Sequence, residues 1–178
     1  MTIQQNNSSL NIFSRTVMQA GLYPGTFFTE MSQAGKYTQP VYFLIISATV
    51  NAVLSALLVP SSTPATIVLY FVNAIGMPLV MASLLFGITH ILFRGSFEQF
   101  RTLFSITAYA NVTYLFSWVP GFSWVAGLWN FYLIGVGLVK AGRISGLKAF
   151  LCILIALAIL ASLLQYLQVQ DFSALPLG

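Results

Sequence analysis

The residues able to do chemistry in this chain are few and fall into two groups. The first surrounds the only histidine. His90, Arg94, Glu98 and Arg101 follow one another at helical spacing, with Gly95 between them. On a continuous helix they would form one ladder, in which His90 could answer to protons or to a lipid headgroup. Gly95 breaks the helix, so the simpler expectation is an elbow. There His90 bonds a loop carbonyl and Glu98 neutralises an arginine. The second group is four asparagines, Asn51, Asn73, Asn111 and Asn130, one in each of four successive apolar stretches. Thr107, Asn111 and Tyr114 recur at i, i+4 and i+7, a polar stripe along one helix face. No Gly-x-Ser-x-Gly elbow, Walker-type loop or His-Glu-x-x-His motif occurs, and no two acids stand at matching depth. One cysteine (Cys152), one histidine and three acids cannot assemble a metal cluster. Catalysis, a metal and a cofactor are not expected.

The surroundings of these residues are greasy. Of 178 residues, 58% are hydrophobic and only 6% charged, with mean hydropathy +0.87. A soluble domain carries about a quarter charged residues, so the composition reads as an all-α, multi-pass membrane protein. The net charge of +4 comes from basic residues spread singly along the chain, with no stripe for nucleic acid. The polar start, Thr2 to Ser9, is not a cleavable signal peptide.

Two short amphipathic runs open the chain, around Ile12, Phe13, Val17 and Met18 and then Phe27, Phe28 and Met31. They are expected to lie in the membrane interface of a cytoplasmic segment, residues 1–38. Packing on the bundle is the plainer alternative. Five spans follow, about 40–59, 66–92, 102–119, 122–139 and 147–167, within a domain of 39–169 that ends in a tail, 170–178. Pro78 is the expected bend of the second span, since it removes a backbone donor and leaves the Ala74 carbonyl without its helical partner. Arg15, Lys36, Arg94, Arg101, Lys140, Arg143 and Lys148 all fall on one side of this arrangement. The positive-inside rule makes that side cytoplasmic, with N-terminus in and C-terminus out. Lys140, Arg143 and Lys148 are then candidates for anionic headgroup contact.

In regular spans the four asparagines share one depth, about 10–12 Å from the outer helix ends. Facing lipid they would be costly, so they should point inward and bond across helices. This polar layer reads either as helix–helix glue or as a permeation site. Glue is the preferred reading, because a pathway for a charged substrate more often carries an intramembrane charge.

The chain also resembles a known family. The matching residues are Pro24, Gly25, Thr26, Phe27 and Phe28, then Gln39 and Pro40. Phe86, Gly87, Ile88, Thr89 and His90 follow, and then Gly95, Ser96, Phe97, Phe100 and Arg101. The series continues through Tyr109, Ala110, Trp118, Pro120, Gly121, Trp129, Gly135, Gly137, Leu138, Lys148 and Ala149. Their order and spacing over about residues 22–165 resemble the Yip domain family, the Ypt/Rab-interacting membrane proteins, in particular its compact prokaryotic members. The resemblance implies a five-helix domain with a cytoplasmic N-terminus. For eukaryotic relatives it implies Rab-type GTPases, vesicle traffic and homo- or hetero-oligomers. Those relatives carry a longer N-terminal region and an Asp-Leu-Tyr-Gly-Pro-like motif, both missing here, so Rab-type GTPase binding is doubtful.

The expectation is a non-enzymatic inner-membrane protein of a prokaryotic cell. It would act as a membrane-organising or trafficking-related scaffold that engages anionic lipids and either a second copy or another membrane protein. The alternative is a transporter or channel for a lipid or small solute that uses the buried polar layer.

Overall fold

The computed structural model describes residues 9–34, 38–58, 63–93, 100–116 and 121–173. Those residues form α1 (Ser9–Leu22), α2 (Pro24–Ala34), α3 (Thr38–Leu58), α4 (Pro64–Phe93) and α5 (Phe100–Ala110). A 3₁₀ segment (Asn111–Phe116), α6 (Ser123–Lys140) and α7 (Gly146–Ser173) complete the chain. Local sequence explains the starts. Pro24 and Pro64 open their helices, where a missing N–H is harmless. The Thr63 hydroxyl caps α4 by accepting from the Thr66 amide at 3.2 Å. Gly121, at φ +79°, supplies the left-handed turn ahead of α6.

Among the described residues, three helices are long and apolar enough to cross a membrane, over Gln39–Leu58, Pro64–Phe93 and Gly146–Tyr166, and a shorter apolar helix covers Trp124–Lys140. Their outward faces carry Leu57, Leu69, Val72, Ile91, Leu163 and Leu164, all exposed. Such a surface suits hydrocarbon and would drive association in water. Hydroxyls on these faces are satisfied within their own helix: Ser83 donates to the Leu79 carbonyl at 2.9 Å and Ser162 to Ala158 at 2.8 Å. That is the arrangement a lipid-facing serine requires.

The segment α5 is the axis of the bundle. Every residue from Leu103 to Ala110 is buried. Around this axis α3, α4 and α6 pack directly, and α7 bridges α4 to α6. The axis is also the most polar of the apolar segments, carrying Ser105, Thr107, Asn111 and Thr113, all buried. A central helix sees other helices on every side, so its polar groups can find partners that lipid would not provide.

One expectation is corrected. The third apolar stretch is not one regular helix: α5 stops at Ala110 and the chain tightens into 3₁₀ geometry through Phe116. Two of its carbonyls accept from side chains of neighbouring helices, as described below. The last helix, α7, runs through Asp171 to Ser173. The bend residue Pro78 sits inside an uninterrupted α4.

The two N-terminal helices form as expected. They pack on the bundle, α2 against α6 and α1 against α5 and the 3₁₀ segment. Phe28 and Ala20 are fully buried there. Phe27 and Phe43 approach the Tyr109 ring from two sides, with centroids at 4.9 and 5.1 Å, and Phe13 stacks behind Phe43 at 5.3 Å. Aromatic pairs of this kind add about 0.5–1.5 kcal/mol each beyond simple burial.

Glycine makes room for one close side-chain contact between helices. A methyl group at Gly137 on α6 would lie 2.5 Å from Ile106 Cγ2 and 3.3 Å from its Cβ on α5. At Gly87 on α4 it would meet nothing within 4 Å. Gly137→Ala should therefore lower stability by about 1–3 kcal/mol through overpacking, while Gly87→Ala should change it little. Thermal unfolding of both variants in the same detergent micelle checks the pair.

Candidate functional site

The four asparagines converge on one short stretch, residues 110–114, where α5 becomes 3₁₀. Asn111 donates from Nδ2 to the Ala74 carbonyl of α4 at 3.0 Å. One turn earlier on the same face, the Thr107 hydroxyl lies 3.0 Å from the Pro78 carbonyl. The two pairs form an antiparallel ladder, Thr107 on Pro78 and Asn111 on Ala74. Its origin is legible in α4: proline at 78 has no N–H to offer the carbonyl four residues back, and Asn111 supplies the missing donor. The expected orphan carbonyl exists, and the side chain that satisfies it comes from the next helix.

The other two amides serve the 3₁₀ segment. From α6, Asn130 Nδ2 donates to the Ala110 carbonyl at 2.9 Å and lies 3.2 Å from Thr113 Oγ1. Asn51 of α3 donates to the Tyr114 carbonyl. A backbone carbonyl can accept two hydrogen bonds, so these two asparagines tie α6 and α3 to the segment where α5 gives way to 3₁₀ geometry. Asn73 is hydrogen-bonded to the Tyr114 side chain.

Thus all four amides and both stripe residues come together, in a form that differs from a flat buried layer. Asn51, Asn111 and Thr107 are buried, Asn130 and Tyr114 are half-buried, and Asn73 is exposed at the rim. The amides bond backbone carbonyls and Tyr114, and none of the bonds described joins two asparagines. Sequence reading missed Thr113, which lies off the i, i+4, i+7 stripe and joins the site only because the chain leaves α geometry after Ala110.

Beside these residues lies a cavity of about 260 Å³. Thr107, Asn111, Thr113 and Tyr114 form one wall, Ala126 to Ile134 of α6 another, and Met77, Pro78 and Met81 of α4 a third. Leu160 of α7 also lines it. Asn51 and Asn73 do not reach it. Among the described residues no group of three or more His, Cys, Asp or Glu could hold a metal ion.

The elbow is only partly in view, since Arg94, Gly95 and Glu98 fall outside the described residues. His90 is exposed in the last turn of α4 and stacks on Phe86 at 6.0 Å. Arg101 opens α5 and is half-buried. Lys140, Arg143 and Lys148 lie together, all exposed, around the α6–α7 turn. Arg143 adopts a left-handed φ of +53°, and Lys148 Nζ sits 5.3 Å above the Phe93 ring.

The coupling of Pro78 to Asn111 is measurable. Asn111→Leu strands the Ala74 carbonyl and should cost about 0.6–1.7 kcal/mol. In a Pro78→Ala background the alanine N–H can bond that carbonyl, so the same substitution should cost measurably less. A double-mutant cycle read by thermal unfolding gives the interaction; strict additivity of the two substitutions would contradict the ladder.

No curated protein and no solved structure matches this chain. One family model does, that of the Yip1 domain, over residues 20–167. That range takes in everything from the end of α1 to the outer turns of α7, including the ladder, the 3₁₀ segment and the cavity. The chain belongs to the Yip1 domain family.

Proposed function

We propose that this protein is a non-enzymatic, five-span scaffold that organises the membrane holding it, with its N-terminus in the cytoplasm. The observation that carries the reading is the use made of the amides. Asn111 and Asn130 turn their N–H donors to backbone carbonyls at 3.0 and 2.9 Å. Amide N–H groups bonded to the backbone of another helix hold the helices together. Length supports the third and fourth spans of the five. Eleven α residues and six 3₁₀ residues from Phe100 to Phe116 rise about 28 Å, close to the ~30 Å hydrocarbon thickness. The 18 residues of α6 add a similar reach. Trp124, 83% exposed, and Trp129, 44% exposed, stand near the Gly121 turn, as interfacial aromatics would.

At the opposite end, Lys140, Arg143 and Lys148 are exposed together. Each would contribute about 1 kcal/mol toward an anionic leaflet. A prokaryotic plasma membrane is the proposed location. A second copy or another membrane protein is the proposed partner; nucleic acid and Rab-type GTPases are not. A second reading, transport of a lipid or small solute, draws on the cavity beside Asn111 and Asn130.

Orientation is tested by cysteine labelling. In a Cys152→Ala background, a cysteine at position 62 should react with an impermeant maleimide added outside intact cells; labelling only after lysis would reverse the topology. Proteoliposomes test transport. Glycerol and calcein should cross vesicles with wild-type protein no faster than protein-free ones. Flux that is faster with wild type and lost in Asn111→Leu would replace the scaffold reading with transport.

A further inference from the structure

The hydrogen-bond directions around the cavity define what it can hold. The Ala74 and Ala110 carbonyls can only accept, so Asn111 and Asn130 must turn Nδ2 toward them. The amide orientations follow from chemistry, without the ambiguity that usually attends Asn. Each Oδ1 is then the polar atom left to the cavity that both residues line. The hydroxyl donors on the same wall are also directed to carbonyls, Thr107 to Pro78 at 3.0 Å and Thr113 to Ala110 at 3.3 Å. The wall therefore presents two amide acceptors, beside the Tyr114 hydroxyl and the second N–H of Asn111.

Charge narrows the ligand further. None of the lining residues is ionisable at neutral pH. Either an anion or a cation would be buried without a counter-charge. A neutral hydroxyl avoids that cost and can donate to the amide oxygens. Size and access supply the rest. At about 260 Å³, the cavity falls just under the roughly 300 Å³ where drug-sized sites begin. That is room for one short chain. Leu160, which lines it from α7, belongs to the half of α7 beyond Ala156, in which no described residue is buried. Entry from the bilayer past that loosely packed half of α7 suits an amphiphile.

We infer that the cavity binds an uncharged single-chain amphiphile whose hydroxyl donates to the side-chain oxygens of Asn111 and Asn130. Such a ligand is a long-chain alcohol or the free hydroxyl end of a monoacylglycerol. The site stands independently of the scaffold reading, since a bound amphiphile requires no transport and its absence leaves the helix-joining bonds in place.

The test uses full-length protein in phosphatidylcholine nanodiscs and a decanol bearing a diazirine in its chain. After photolysis, label should map to cavity residues such as Met77, Met81 and Leu160. Unlabelled decanol should displace it at about tenfold lower concentration than decyl methyl ether, which accepts but cannot donate; decanoate should compete worse still. Monodecanoylglycerol in place of decanol separates the two ligand sources, the tighter competitor being the better fit. Equal competition by alcohol and ether, or preference for decanoate, would overturn the inference. So would label confined to exposed Leu163 and Leu164. Gly127→Leu provides a control that preserves the amides. Its added side chain enters open space, with nothing within 4 Å of the new Cβ, and takes up cavity volume. Labelling should fall several-fold with thermal unfolding unchanged, and undiminished labelling would also overturn the site.

Discussion

A backbone carbonyl inside hydrocarbon must have a donor, and much of this structure follows from where donors were removed. Pro78 takes one away from α4, and the termination of α5 at Ala110 takes away others. An unbonded carbonyl there would cost several kcal/mol in lipid. In α4 an amide from another helix reaches the vacated Ala74 oxygen, and the Thr107 hydroxyl adds a second bond at the Pro78 carbonyl. Asn111, Thr107, Asn130 and Asn51 thus bind α4, α6 and α3 to the central segment. The helix defects and the polar side chains compensate one another, and the bundle's internal specificity comes from that pairing.

This arrangement explains why the axis can be short and comparatively polar while the ring is long and apolar. α4 and α7 expose Val, Leu and Ile along most of their length because lipid is their neighbour. α5 is enclosed by protein, so small and polar residues let neighbouring helices approach. Gly137 against Ile106 is the tightest example. The aromatic group of Phe13, Phe27, Phe43 and Tyr109 then fixes the N-terminal helices to the same axis.

Much of this was legible in the residues. Helix positions followed from apolar length, because hydrophobic runs of this size have few other solutions in a membrane. Pro78 announced its orphan carbonyl, and the asparagines announced that they would bond across helices. The partners were not legible. Pairing Asn111 with Ala74 requires the relative register of α4 and α5, which depends on side-chain packing along both faces and leaves no local mark. The 3₁₀ tightening after Ala110 was hidden for a related reason. Asn-Val-Thr-Tyr fits an α-helix locally, and the departure is stabilised by Asn130 and Asn51, which arrive from distant parts of the chain. The docking of α1 and α2 was ambiguous because an amphipathic helix looks the same whether its apolar side meets lipid or protein.

The ladder between α4 and α5 also bears on how the chain enters a membrane. Segments leave the ribosome in order, and α5 is a poor candidate for insertion alone, with Thr107 and Asn111 on one face. When it emerges, however, α4 has already been made, with the Ala74 carbonyl awaiting a donor. Insertion as an α4–α5 hairpin lets that carbonyl and Asn111 enter already paired. The bonds to Ala110 and Thr113 must wait for Asn130, some twenty residues later in synthesis. The central segment is therefore not completed until α6 has been made, although its own residues are synthesised earlier.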